Sequence, residues 1–472
     1  MGRRDARHPS RAASRIALWL PVLLVVGLLG GAGTTYWLDR APDPDEEPAR
    51  VEPPTGLELP PLTAPSPVAA SATGTADPAK VRKAVARLLR DDDLGPHVLA
   101  TVSSLDGSLL YSKGTGDAVP ASTLKLLTTA AALETMGPEQ TFATTVVAAS
   151  RRRIVLVGGG DPLLASKRPG KDDYPEVADV VTLAEDTAAR LLERGTRRVR
   201  VGYDATLFAG PDVSPHWPDS YVPDAVVAPI RSLWVDEGRP ANGFGRVDDP
   251  SLAAATAFAA ALARAGVEVI GIPEPRRADA ADEELARVTS PPLGQLVEHT
   301  LATSDNEAAE VLARQTALAV GAPPTFAGGA GAVLDAIAAL GVPTDGAEVY
   351  DGSGLSRDDR LDPDTLTGLL AVAGSAEHPE LRTVVTGLPV AGFNGSLTER
   401  FVQDVAAPGR GAVRAKTGTL TGVSGLAGSV TDRRGAPMVF AFLSDRIDPV
   451  DTLDARAALD EITAALADCR CS

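Results

Sequence analysis

The stretch VLATVSSLDGSLLYSK, Val98 to Lys113, alternates apolar and polar residues on either side of Asp106-Gly107, a dipeptide that closes tight hairpins. A helical pattern follows at once. The chain closes on two more strand-like runs, LTGVSGLAGSVTDR and PMVFAFLSDR, before the helical DTLDARAALDEITAALAD. Strands at both ends with helices between them restrict the fold more than any other feature. They predict an antiparallel sheet completed by the two ends of the chain and covered by helices, an α+β arrangement.

Between these ends the pattern changes character. Short apolar runs with glycine turns, TTVVAA and IVLVGGGD, are followed by the helix-periodic ADVVTLAEDTAARLLERG and the strand-like RRVRVGYDATLF. SLAAATAFAAALARAG then predicts a helix over 251–266, leading into VEVIG. Residues 146–288 therefore read as one or two inserted α+β units. After them come PLGQLVEHTLATSDNEAAEVLARQTALAV and helices near 331–340 and 363–374. A chain of 472 residues is long enough for this multi-domain plan.

The N-terminus predicts export. Arg3, Arg4, Arg7, Arg11 and Arg15 precede an uncharged run, Ile16 to Leu38, long enough as a helix to cross a bilayer core. Residues 1–15 read as a cytoplasmic basic segment and 16–38 as a signal anchor, or a signal peptide if cleaved. Residues 39–77, rich in proline and acidic side chains, read as an extended linker. The expected location is the cell membrane, single-pass with the remainder outside, or secretion after cleavage.

Charge and cysteine content exclude other classes. A net charge of −17 disfavours nonspecific nucleic-acid binding. The cysteines, Cys469 and Cys471, make no disulfide framework and no zinc cluster, and the five histidines form no HExxH. The glycines of 158–160 lack the GK[ST] of a phosphate loop. The expectation is no metal, no cofactor and no nucleic acid.

Three short motifs carry chemistry. Ser122 and Lys125 form SxxK at the start of the apolar helix PASTLKLLTTAAAL. Residues three apart share a helical face, so a lysine amine can reach the serine hydroxyl and, if burial and neighbouring cations leave it partly neutral, take its proton. Alone, a cap and a snorkelling lysine account for the pair better. Ser304-Asp305-Asn306 gives SDN before an apolar helical repeat, and Lys416-Thr417-Gly418-Thr419 gives KTGT at the head of a strand. A cap and a turn explain each of these singly. Their joint occurrence in this order, in suitable element contexts and on an exported chain, is a strong signal where each alone is weak.

SxxK, SDN and KTG resemble the active-site set of penicillin-recognising serine enzymes. The 182 residues separating Ser122 from Ser304 resemble the DacB-type D-alanyl-D-alanine carboxypeptidase/endopeptidases, the class C low-molecular-mass penicillin-binding proteins, where extra domains enter between the first two motifs. VGGGDP, HWPDSYVPD, DGSGLSR, LPVAGFNGSLTERF and RAKTGTLTGVSGLAG add to the resemblance. It implies a serine β-lactamase/transpeptidase-like core over 78–145 and 289–468, with 146–288 inserted. It implies Ser122 as acylated nucleophile and Lys125 as its base. Ser304 would relay a proton to the leaving amine, Asn306 would bond Lys125 or the substrate amide, and Lys416 would bias the proton network. Thr417, Gly418 and Thr419 would hold the substrate, and the backbone N–H groups of Ser122 and Thr419 would form the oxyanion hole. Asp305 receives no chemical role.

The implied partners are peptidoglycan stem peptides and β-lactam antibiotics, with the membrane held through the N-terminal segment. The implied reaction is hydrolysis of the D-Ala-D-Ala bond, with cross-bridge cleavage as a variant. The other readings are a β-lactamase, a noncatalytic wall-binding protein, and an esterase or aminopeptidase built on the same core.

Overall fold

The computed structural model describes residues 74–472. The helix Pro78–Val85 opens this part; Asp77 caps it and Pro78 occupies its first turn, where a missing N–H costs nothing. Five strands form an antiparallel sheet in the order β2-β1-β11-β10-β9. They are β1 (His97–Ser104), β2 (Leu109–Lys113), β9 (Val413–Leu420), β10 (Val423–Thr431) and β11 (Pro437–Asp445). The two chain ends meet where β1 pairs with β11 over their whole lengths, His97 opposite Asp445 and Ser104 opposite Met438.

Alternation of side chains divides this sheet between two cores. On β11, Val439, Ala441 and Leu443 join Leu99 of β1 under the helices, while Met438, Phe440 and Phe442 join Val98, Ala100 and Val102 beneath the C-terminal helix Thr452–Asp468. Both faces are covered, which is why β11 is apolar along nearly its whole length rather than alternating. At the centre of the first core lies the helix Lys125–Met136, every residue of which is buried from Lys125 to Leu133. It packs against the helices Leu293–Thr303, Asn306–Ala319 and Phe326–Ala339. A helix apolar on all sides has no solvent face to present, so it becomes a fixed internal strut.

A second, mixed sheet is built from the intervening chain in the order β6-β5-β4-β3-β8, with β7 beside β5. Its strands are β3 (Ala143–Ser150), β4 (Arg153–Val157), β5 (Arg198–Asp204), β6 (Glu268–Val269), β7 (Glu274–Pro275) and β8 (Glu283–Thr289). The β4–β5 pair is parallel, and the helix Val180–Glu193 makes the crossover between them. That helix and Pro250–Arg264, close to the expected 251–266, share one apolar cluster with the sheet.

Three expectations need correction. Among the described residues no helix is long and apolar enough to cross a membrane. The single-pass membrane location, the membrane partnership and the transmembrane helix are therefore withdrawn; the segments 1–15 and 16–38 on which they rested, and most of the 39–77 linker, lie outside the described residues. KTGT does not head the strand that continues as LTGVSGLAG. It lies in the second half of β9, and Thr421-Gly422 turns the chain into β10, with Leu420 opposite Val423 and Gly422 at φ 76° supplying the left-handed residue. Finally, Cys469 and Cys471, which offered no disulfide framework in the sequence, are joined to each other as a disulfide.

Candidate active site

Three separate elements converge on Lys125. A 3-10 turn, Ala121–Leu124, carries Ser122 and runs directly into the central helix. The Lys125 amine is fully buried and lies 2.9 Å from Ser122 Oγ, 2.8 Å from Asn306 Oδ1 and 2.7 Å from the Ser353 carbonyl oxygen. An ammonium has three N–H donors, and each has a partner here. Burial pulls the Lys125 pKa down to about 8, against the attraction of Asp351, Glu310, Asp305 and Glu307.

Ser304 sits between two helices in the left-handed conformation, φ 62° and ψ 39°, at a cost of about 1–3 kcal/mol for a residue other than glycine. This turn brings Ser304 Oγ to 2.7 Å from Lys416 Nζ, which donates to it and, at 3.0 Å, to the Thr417 carbonyl. Lys416 is also fully buried; burial, and then the nearby Lys125 charge, push its pKa well below the usual lysine range. Asp305 is the N-cap of Asn306–Ala319, accepting from the Ala308 N–H at 2.9 Å. Burial opposes its ionisation, yet His299 and the Ala308 N–H outweigh that and hold its carboxyl below the ordinary range. The cap is thus Asp305, while Ser304 and Asn306 face the two lysines. Asn306 is fixed from its other side, Nδ2 donating to the Val226 carbonyl at 3.2 Å.

The β9 strand is at the edge of its sheet. Residues 389–391 cover its outer side along Val413–Ala415. From Lys416 to Thr419 the outer edge has no strand partner among the described residues, so it can accept an extended peptide as an added strand. Thr417 Oγ1 donates to Ser396 Oγ at 3.1 Å, Gly418 is buried and Thr419 is exposed. Gly418 allows close approach, since a Cβ there would lie 2.6 Å from the Pro120 carbonyl oxygen. All eight residues expected at the site thus lie on the Ser122–Lys125 segment, the SDN segment or this strand edge.

DGSGLSR carries no chemical role in the sequence motifs. Its backbone proves to be part of the site. Ser353 presents its carbonyl to Lys125, and Gly354, at φ 80°, lies so close that a Cβ would fall 1.9 Å from the Ala121 carbonyl oxygen. Gly354→Ala is expected to destabilise the protein by about 1–3 kcal/mol from backbone strain alone, with further loss from the clash. Thermal unfolding checks this, and an unchanged midpoint would contradict the packing described. Ser396, in the quoted LPVAGFNGSLTERF, was also missed; its only signal was a lone serine after a glycine turn.

A cavity of about 350 Å³ adjoins the SDN turn, lined by Ser304, Asp305 and Asn306 with Val226, Glu237, Arg239, Arg246, His299, Thr303 and Glu307. A larger one, about 650 Å³, is lined by Arg168, Asp173, Asp179 and neighbours and contains none of the residues above. Size alone does not choose between them. The contact between Ser122 Oγ and the Lys125 amine does.

This arrangement predicts a pH dependence. A protonated Lys125 cannot accept the Ser122 proton, so acylation should fall as pH drops through about 8. Because Lys416 lies in the same network, the observed inflection belongs to the pair. Second-order rate constants for β-lactam acylation between pH 5 and 10 measure it. A rate independent of pH across 7–9 would rule out a lysine base.

The family model for the D-Ala-D-Ala carboxypeptidase 3 (S13) family matches residues 81–243 and 239–466. Carboxypeptidase DacB of Mycolicibacterium smegmatis is 34% identical over 476 residues, covering 99% of this chain and 98% of that protein. The D-alanyl-D-alanine carboxypeptidase of an Actinomadura species is 30% identical over 467 residues, covering 78% and 82%. Among solved structures, penicillin binding protein 4 (dacB) from Haemophilus influenzae aligns with a TM-score of 0.64 at 18% identity, over 82% of this chain and 100% of that one, which establishes a shared fold.

Proposed function

The chain belongs to the D-Ala-D-Ala carboxypeptidase 3 (S13) family, and on that premise we propose how its own residues perform the serine-type carboxypeptidase/endopeptidase reaction on peptidoglycan stem peptides. One observation carries the assignment. Of the three partners of Lys125, the Ser353 carbonyl and Asn306 Oδ1 can only accept, whereas the Ser122 hydroxyl can also donate. When Lys125 loses its proton, the contact that reverses is the one to Ser122. The neutral amine then faces the serine O–H as a base.

Ser122 Oγ attacks the carbonyl carbon of the penultimate D-alanine, and its proton passes to Lys125 Nζ. The oxyanion that forms is held by the backbone N–H groups of Ser122 and Thr419; one such donor is typically worth about 2.7–4 kcal/mol in the transition state. As the C–N bond breaks, the amine of the terminal D-alanine takes the hydroxyl proton of Ser304, which Lys416 replaces from its own ammonium. The proton that Lys125 took from Ser122 passes on to restore the Lys416 ammonium, leaving Lys125 neutral; water then attacks the Ser122 ester, gives its proton to Lys125, and Lys125 returns it to Ser122 Oγ as the shortened peptide leaves with a new carboxylate. Thr417, Gly418 and Thr419 line the strand edge on which the substrate backbone is laid, with Thr417 steadied by Ser396.

β-Lactams enter the same sequence, their ring nitrogen remaining tethered to the acylated Ser122 ester. The test is mass spectrometry of defined muropeptides before and after addition of enzyme, with Ser122→Ala as control. Loss of one D-alanine identifies carboxypeptidase action, and splitting of cross-linked dimers identifies endopeptidase action. Rapid sustained turnover of a chromogenic lactam, without attack on muropeptides, would instead identify a β-lactamase.

A further inference from the structure

Behind the DGSGLSR loop lies a buried carboxylate that the reaction above does not use. Glu310, on the helix Asn306–Ala319, is fully buried, and its Oε1 accepts from the backbone N–H of Gly352 at 3.0 Å and of Ser353 at 2.9 Å. The next atoms along the loop are the Ser353 carbonyl and, 2.7 Å further, Lys125 Nζ. On the other side stands Arg314, also buried, with Nη1 3.7 Å from Glu310 Oε2 and its guanidinium 3.9 Å over the Phe326 ring centroid. A line therefore runs from Arg314 through Glu310 and the backbone of Ser353 to the Lys125 amine.

We infer that Glu310, backed by Arg314, is a positioning residue for Lys125: it clamps the Ser353 carbonyl against the amine and faces it with a buried negative charge. The inference rests on Lys125 acting as the base. Two backbone donors could be satisfied by a neutral glutamine. A carboxylate in the same place leaves Oε2 without a hydrogen bond, which is costly in the interior. A group that only braced the loop would not need the charge.

The charged groups around Lys125 are Glu310, Glu307 and Asp305 from one helix and its cap, Asp351 from the loop, and Lys416 from β9. Those around Glu310 are Arg314, Asp351 and Asp359. Asp351 is already spent on bonds from Ser353, Gly354 and Ser356 N–H and from Trp217 Nε1. Burial, then Asp351, push the Glu310 carboxyl up to about 7, so it is anionic at the pH near 8 where Lys125 releases its proton. Its charge favours the ammonium. Removing the charge must lower the proton affinity of Lys125.

The test compares Glu310→Gln and Glu310→Asp in the full chain, reading the pH profile of β-lactam acylation per active site, with unfolding midpoints measured alongside. Glu310→Gln should move the acid limb about one pH unit lower and reduce the plateau rate by about 10-fold or more through loosened geometry. Glu310→Asp keeps the charge but shortens the reach, so it should lose rate while its limb stays with the wild type. A Gln variant with the wild-type limb and rate overturns the inference. So does a limb that moves equally in both variants, or one that stays put while only the unfolding midpoint falls. Lys125→Arg, measured beside them, separates this from failure of the underlying reading: if it retains acylation, Lys125 is not the base at all.

Discussion

Ser122→Ala is expected to abolish covalent labelling by a fluorescent penicillin and to lower D-alanine release by about 10,000-fold or more. Among the described hydrogen-bond partners of Lys125, the substitution removes the only one that can both donate a proton and form the acyl ester. Little else should change. The Ser122 hydroxyl makes one side-chain contact among the described residues, to Lys125 Nζ at 2.9 Å, so the stability change should stay within about 1–2 kcal/mol. Noncovalent binding of a stem pentapeptide, measured calorimetrically, should persist because the strand edge from Lys416 to Thr419 is untouched. Residual labelling at an altered stoichiometry would place the nucleophile elsewhere.

The parts of this site that were legible in the sequence are those whose geometry is set by local spacing. Ser122 and Lys125 are three residues apart on a helical face, and no tertiary information is needed to bring them together. KTGT in a strand exposes alternate side chains, whereas the capping role of Asp305 was not read from the sequence. The meeting of the three motifs was not local. It followed only from the resemblance of the whole set, and the fold then provided the contact through a sheet closed by both chain ends. What stayed hidden was backbone chemistry. The Ser353 carbonyl is an acceptor any residue could supply, so DGSGLSR gave no sign that it touches Lys125. Glu310 was equally silent, since a glutamate on a helix reads as solvent-facing until burial is known. The misplaced start of the β9 strand has a related cause: Thr421-Gly422 interrupts an apolar run so briefly that two antiparallel strands read as one.

Lys125→Ala is expected to slow acylation by about 100- to 10,000-fold, the range for loss of a positioned general base, and Lys125→Arg by nearly as much. The arginine comparison separates charge from base. A guanidinium can donate toward Ser122, Asn306 and the Ser353 carbonyl, but it does not release a proton in the working range and cannot take one from serine. If Lys125 served only to place positive charge beside the nucleophile, Arg would restore much of the rate. Retention of more than about a tenth of wild-type acylation would remove the base role. The alanine variant also strands Asn306 Oδ1 and the Ser353 carbonyl in a buried site, so it should lose stability as well as rate, by about 1–3 kcal/mol. In both variants the inflection near pH 8 should vanish from the residual activity, because the group whose deprotonation enables attack is gone. An inflection that survives both substitutions would belong to Lys416, and the order of proton transfer between the two buried lysines would have to be reversed.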